Sequence, residues 1–354
     1  MGKYILKRLG YMLVVTLILT LLMYLVYNLI PVNRAENEYK ETMKSNKAAA
    51  AWSEEEKADF KKELYSKYGM DGNIFIRYLR WMGLYPYSGY SRITHEYNPT
   101  FNGLLQGNIG YSYKEAKPVF DVLKEPMKNS IFINIFATIA ALAITIPLGI
   151  FCARKKGSKR DTLIQIGTIV GYSLPGFIIA ILFIFLFAAT LGWFPVSGMK
   201  TLNMVYTSKL QEFGDLMYHL ALPLIAMTFM SLGSMTRYVR ASMIEALSMD
   251  CIRTALAKGV KEKTVVYSHA FRNALIPIVT IVIGWFLGIF SGSIMIENIF
   301  GLNGIGRTYI IALQGNDFET ALALQMFYVF ISLIGNLITD IVYGFVDPRI
   351  RVNK

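Results

Sequence analysis

The chain has 354 residues, 54% of them hydrophobic and only 17% charged, and a positive mean hydropathy; a soluble domain carries about 25% charged residues, so an ordinary soluble protein is excluded. The net charge of +12 invites a nucleic-acid reading, but four segments hold it: residues 1–10, 154–162, 237–273 and 347–354 carry 18 Lys and Arg against five acids, a sum of +13, and the rest of the chain sums to −1. Six spans place all four segments on one side of a membrane, which is the positive-inside pattern with both termini cytoplasmic, and no nucleic-acid partner is expected.

Apolar blocks of about twenty residues, the length that crosses a hydrocarbon layer ~30 Å thick as a helix, predict spans over 9–30, 131–153, 163–190, 216–236, 275–296 and 321–346. A helix satisfies its own backbone groups, and the alternating strands of a membrane barrel are missing from the sequence. The first span follows Lys3, Lys7 and Arg8. Its apolar stretch is longer than that of a signal peptide and no small-x-small cleavage site follows, so it is expected to be retained.

Residues 31–128 then form a long, nearly neutral segment with 15 basic and 13 acidic residues. Span parity places it outside the cell. Within it, Ser53 and Glu56 have the spacing of a capping box. Glu54 and Glu55 suit a helix start, Lys61, Lys62 and Lys67 suit its end, and Gly69 is a C-terminal stop. Phe60, Leu64 and Tyr68 make a narrow apolar stripe, read as packing within the external domain ahead of a partner surface. Residues 83–113, rich in Gly, Tyr, Pro, Asn and Ser, read as turns.

Small residues Gly167, Gly171, Ser173 and Gly176 gather at the start of the third span. Close helix packing is the favoured reading, with Gly171, Ser173 and Pro175 also open as pathway residues. The segment 237–273 is cytoplasmic, basic and helical in composition. Residues 250–258 predict two short turns ending at Gly259, and a second helical stretch over 261–274 leads to Pro277. Asp340 is the clear acid inside a span, read as structural ahead of a proton relay. His95, His219 and His269 are too far apart for one metal or catalytic site under this topology, and Cys152 and Cys251 are expected to be free thiols. No catalytic or metal-binding residues are assigned. The G-x-x-x-x-G-K-[ST] phosphate loop does not occur, so ATP hydrolysis by this chain is not expected.

The run Arg253-Thr254-Ala255-Leu256-Ala257-Lys258-Gly259, followed by His269-Ala270-Phe271-Arg272-Asn273-Ala274-Leu275-Ile276-Pro277, closely resembles the cytoplasmic loop of oligopeptide and dipeptide permease subunits of ABC importers. Arg77-Tyr78-Leu79-Arg80-Trp81 and Gly107-Asn108-Ile109-Gly110-Tyr111-Ser112 resemble the external segment of that family. Pro147-Leu148-Gly149, Ser173-Leu174-Pro175, Gly192-Trp193-Phe194-Pro195-Val196-Ser197-Gly198, the run Glu297-Asn298-Ile299-Phe300-Gly301-Leu302-Asn303-Gly304-Ile305-Gly306, and Asp347-Pro348-Arg349-Ile350-Arg351 match in order. Residues 35–70 and 84–100 are longer or more diverged than the family pattern.

The resemblance implies an all-α polytopic membrane protein with about six transmembrane helices, the type I importer fold, and an extracellular insertion after the first helix. The corresponding division is 1–30 for the tail and first span, 31–128 for the extracellular domain, and 129–354 for a five-helix core. It implies a non-catalytic subunit in a bacterial plasma membrane that pairs with a second homologous permease. Two ATPase subunits carry ATP and Mg, and an extracellular substrate-binding lipoprotein delivers the substrate. Asp250, Arg253, Thr254, Ala255, Leu256, Ala257, Lys258 and Gly259 would form the coupling loop. Short peptides are the expected substrate, with nickel or another small solute as the alternative. A gradient-driven carrier or channel is the rival of another class.

Overall fold

The computed structural model describes residues 2–29, 34–112 and 114–346. Among these the chain is mostly helix. The helices are α1 (Gly2–Leu29), α2 (Arg34–Ser45), α3 (Lys47–Ala50), α4 (Glu54–Lys67), α5 (Ile74–Met82), α6 (Val119–Arg154), α7 (Lys159–Ser173), α8 (Gly176–Phe183), α9 (Lys209–Leu247), α10 (Asp250–Ala257), α11 (Glu262–Thr264), α12 (Phe271–Gly288), α13 (Ile294–Ile299), α14 (Ile305–Gln314) and α15 (Phe318–Val346). Two π-helical stretches, Ile184–Thr190 and Val265–Ala270, continue α8 and join α11 to α12. Strands β1 (Tyr111–Ser112) and β2 (Lys117–Pro118) form an antiparallel hairpin. The chain divides into two compact units, Met1–Val122 with Ala312–Val329, and Leu123–Ile311 with Phe330–Lys354.

Among the described residues five helices are long and apolar enough to cross a membrane, and six if α7 and α8 with its π extension count as one span. That span is a correction to the straight helix expected over 163–190, because the pair is bent by 102°. Pro175 supplies the cause. It lacks an N–H, and it drives Leu174 into extended backbone at ψ 135°, so the helix cannot continue. The fifth span also ends early, at Gly288 rather than 296, and Gly292 turns the chain with φ +66° before α13. The helix of the fourth runs well past 236, to Leu247, and Val239, Ser242, Met243 and Ala246 beyond that point are buried.

In the first unit α4 forms as its sequence dictates. Ser53 Oγ accepts from the Glu56 N–H at 3.2 Å and the Glu56 carboxylate accepts from the Ser53 N–H at 2.7 Å. That backbone bond holds the Glu56 carboxyl below the usual carboxylate range. Gly69 follows in the left-handed region at φ +62°. The stripe packs internally: Leu64 is buried, and Phe60 lies against Trp52 at 5.3 Å and Tyr39 at 6.2 Å between ring centroids. Tyr68 donates to Glu38, and the Arg34 guanidinium stacks on its ring.

The same unit gathers around the start of α15. Glu319 takes a hydrogen bond from the Tyr111 N–H at 2.6 Å and pairs with Arg34, while Asp317 accepts from Ser112 and Thr320.

The second unit is organised along α9. Toward its N-terminal end Leu220, Leu222 and Ala226 join a cluster with Ile133, Ala180, Ile296, Phe300 and Leu302. Toward its C-terminal end Met235, Val239, Met243 and Ala246 join another with Ile150, Ala153, Ile252, Val265, Val266 and Ala270. Between them Gly233 lets α7 come close: a Cβ there would sit 2.7 Å from the Thr168 carbonyl oxygen. The side chain of Asp340 and the terminal run from Asp347 lie outside the described residues.

Candidate functional site

The helix predicted over 250–258 is α10, Asp250–Ala257. Met249 precedes it with no side-chain cap, and Thr254 Oγ1 turns back to the Asp250 carbonyl at 2.9 Å. The helix ends as the sequence indicates. The Gly259 N–H bonds to the Leu256 carbonyl at 2.9 Å, and the Val260 N–H bonds to Ala255 at 3.2 Å. Gly259 itself takes φ +78°, with open space where a Cβ would stand.

One face of α10 is seated and the other is open. Ile252 is fully buried in the cluster of α9, α6 and the 265–270 π stretch, with Ala255 and Val260 partly buried beside it. Burial of an isoleucine side chain contributes about 1.5–3 kcal/mol. Beside Ile252, the row Met249, Arg253 and Leu256 recurs at i, i+4 and i+7 and is exposed, Met249 by 40% and Leu256 by 50%. Asp250, Thr254, Ala257, Lys258 and Gly259 are exposed as well. Arg253 and Asp250 form a loose pair at 3.6 Å that is open to solvent and worth little.

Two ion pairs fix the elements that carry this helix. The Arg240 guanidinium holds the buried Asp161 carboxylate bidentately, Nε to Oδ1 and NH2 to Oδ2, both at 2.8 Å. Asp161 also accepts from the Gly157 N–H and the Gln165 amide, so its lone pairs are filled. It thereby pins the far end of α9 to the start of α7. Arg154, at the end of α6, reaches Glu262 of α11 at 2.8 Å. The stretch after α11 is π-helical, and such turns recur at functional positions. Sequence reasoning missed Asp161 and Arg240, because the partners lie 79 residues apart and neither has a local signature.

A second cluster explains the run from Glu297 to Gly306. Glu297 is buried, yet its carboxylate accepts four hydrogen bonds: from Ser130 Oγ at 2.7 Å and from the backbone N–H groups of Ser293, Gly306 and Arg307 at 3.1, 2.7 and 3.1 Å. Gly306 and Arg307 open α14, where a helix presents unpaired donors and positive charge. Ser130 in turn accepts from the Ile305 N–H at 2.9 Å. A Cβ on Gly304 would sit 2.4 Å from Glu297 Cδ, so the glycine is what lets the carboxylate in.

The small residues of the third span divide. Gly171 is buried with the Phe229 ring 3.4 Å from its would-be Cβ, which is packing. Ser173 and Pro175 are exposed at the bend. Ser173 Oγ donates to the Ile169 carbonyl at 2.7 Å. His219 contacts Thr201 at 3.2 Å and the Gly198 carbonyl at 3.3 Å, and His95 contacts Tyr90 at 3.2 Å. Among the described residues no three His, Cys, Asp or Glu side chains gather as a metal site. Cys152 is buried and Cys251 exposed, both as free thiols.

Comparison with known proteins points to one family. Residues 145–352 match the model of the family described as binding-protein-dependent transport system inner membrane component. The chain is 32% identical over 295 residues to the oligopeptide transport system permease protein AppB of Bacillus subtilis (strain 168), covering 82% of this chain and 85% of that one. It is 29% identical over 353 residues to the dipeptide transport system permease protein DppB of Lactococcus lactis subsp. cremoris, covering 99% and 100%. The peptidoglycan transport system permease protein YejB of Agrobacterium fabrum is 30% identical over 83% of this chain and 76% of its own length. A solved inward-facing MetNI methionine ABC transporter overlaps 62% of this chain and 96% of its own at a TM-score of 0.48 and 14% identity, a likeness too slight to argue from.

Proposed function

Since the chain belongs to the family of binding-protein-dependent transport system inner membrane components, we propose that it is a permease subunit of an ABC importer for short peptides. The observation that carries this reading is similarity to oligopeptide and dipeptide permeases that runs over 82% and 99% of the chain. A second homologous permease completes the pathway. Two ATPase subunits bind ATP and Mg, and an extracellular lipoprotein delivers the peptide. Both termini and α10 face the cytoplasm, where the basic segments lie.

In this reading α10 is the coupling element. Its seated face transmits force because Ile252 is locked in the same cluster as α6, α9 and the π stretch before α12. Its open row, Met249, Arg253 and Leu256, enters a cleft on an ATPase subunit. When ATP binding closes the ATPase pair, α10 is displaced, and the elements packed on it move as one body, because a close-packed interior transmits strain instead of absorbing it. The chain itself performs no chemistry. Rocking of packed helices between inward- and outward-facing states moves the peptide.

The test is growth. A strain lacking this permease and redundant peptide importers, auxotrophic for one amino acid, should fail to grow on that amino acid supplied as a tri- to pentapeptide and grow on the free form. Unchanged peptide growth together with loss of a nickel enzyme's activity would replace the peptide by nickel.

A further inference from the structure

The segment between the first two spans is not uniformly aqueous. The geometry points to α5 as a helix set into the outer leaflet of the bilayer, with Phe75 and Leu79 against lipid acyl chains. This rests on the reading of α1 as a membrane span.

The depth of α5 can be measured against α1. From Leu9 to Tyr27 the chain has no charged residue, with Arg8 before it and Asn28 after it. Nineteen residues at ~1.5 Å each match a hydrocarbon layer ~30 Å thick. On that scale Thr20 lies about 12 Å inward of Asn28 and Leu17 about 16 Å, and a usual tilt of about 20° shortens these depths by under a tenth. The Tyr78 hydroxyl of α5 sits 2.9 Å from Thr20 Oγ1 and 3.4 Å from the Leu17 carbonyl. Tyr24 packs on Tyr78 at 5.6 Å and on Trp81 at 5.4 Å between ring centroids. The outer boundary has its own marker: Tyr27 lies against Phe318 at 6.0 Å, and Phe318 stands between Asp317 and Glu319 where α15 begins. Even with the length of a tyrosine side chain allowed for, α5 meets α1 on the membrane side of that boundary.

The surface chemistry of α5 suits that position. Phe75 is 60% exposed and Leu79 36%, one turn apart on the same face. The two arginines of the helix point elsewhere. Arg80 is buried and held bidentately by Asp71 at 2.6 and 3.0 Å, with its Nε donating to the Pro86 carbonyl at 2.9 Å. Arg77, two residues from each of Phe75 and Leu79, falls on the opposite side at about 100° per residue. The Phe75–Leu79 face is therefore uncharged. It is also continuous in character with α1, whose Leu13, Val14, Ile18, Leu22 and Val26 are exposed and must meet lipid. A charged face at this depth would be costly, whereas an aromatic and an aliphatic side chain are at home there.

Spin labels test the assignment in the full-length chain held in phospholipid bilayers, with Cys152→Ala and Cys251→Ser as background. Nitroxides on Phe75→Cys and Leu79→Cys are read for collisions with molecular oxygen, which concentrates in lipid, and with a water-soluble nickel chelate. Leu22→Cys on α1 is the lipid reference, and Ile93→Cys, 84% exposed, is the water reference. The expected oxygen-to-nickel ratio at both α5 positions is several-fold above that at Ile93→Cys and close to that at Leu22→Cys. A ratio equal to that at Ile93→Cys places the face in water and overturns the proposal. Few collisions with either reagent mean that protein covers the face, which overturns it equally. An aqueous ratio at Leu22→Cys would instead show that the reading of α1 as a span has failed.

Discussion

The helices α4 and α10 are both short, both amphipathic, and finished in opposite ways. α4 has both bonds of its capping box, and its apolar stripe is packed within its own unit, with Leu64 buried and Trp52 and Tyr39 against Phe60. α10 has no side-chain cap, one apolar residue sunk in the core, and two more, Met249 and Leu256, turned outward. A helix whose apolar stripe is covered by its own chain has no apolar face left to offer a partner. One held from a single side keeps a surface in reserve, and the difference lies in which face is covered, since both helices stop at a glycine of positive φ.

That contrast can be broken at the seat, at the stop and at the two surfaces, in descending effect on stability. Ile252→Ala should cost about 2–5 kcal/mol, the usual range for emptying a packed core site. Limited trypsin digestion should then cut faster after Arg253 and Lys258, and resistance equal to the native chain would mean that α10 is not held by its buried face. Gly259→Val forces a β-branched residue into positive φ, at about 1–3 kcal/mol of local strain. The variant should insert normally yet lose substrate-stimulated ATP hydrolysis in the assembled importer; retained stimulation would separate the turn from coupling.

The smallest changes sharpen the comparison most. Ser53→Ala removes a cap worth about 1 kcal/mol and should leave coupled hydrolysis untouched. Leu256→Ser should leave thermal stability within about 0.5 kcal/mol, as surface changes do, and reduce coupled hydrolysis several-fold. If the two results were exchanged, α4 would be the partner surface and α10 a structural helix.

What was legible in the sequence was local. Ser53, Glu56 and Gly69 announced α4, and Gly259 announced the end of α10, because caps and stops are read within a few residues. The bend in the third span had its signal too, in Ser173-Leu174-Pro175, but apolar residues continue on both sides and the hydropathy of the run hid the break. Pairings across the chain left no such trace. Asp161 and Arg240 are 79 residues apart, Ser130 and Glu297 are 167 apart, and Arg34 and Glu319 are 285 apart. Each is an ordinary polar residue until the fold supplies its partner. The outward row of α10 was half legible. The motif marked the residues, while the exposure of Met249 and Leu256 beside the buried Ile252 follows from what the fold leaves uncovered.

The Glu297 cluster has a consequence for inheritance. Gly304 has no room for a Cβ because the Glu297 carboxylate lies 2.4 Å and the Ser130 hydroxyl 2.6 Å from where it would stand, and Gly292 has Glu297 Oε1 within 3.0 Å of the same position. Ser130, Glu297 and Gly304 are therefore tied to one another, whereas Gly292 is also fixed by its positive φ and Gly306 by the Ile294 backbone, 2.7 Å from its would-be Cβ. A lineage that lost the acid would leave the Ser130 hydroxyl with no carboxylate to serve and would still need glycine at 292 and 306. A lineage that gained a side chain at 304 would have to surrender the acid and move the Ser130 hydroxyl as well. Ser130, Glu297 and Gly304 should be transmitted together or drift together.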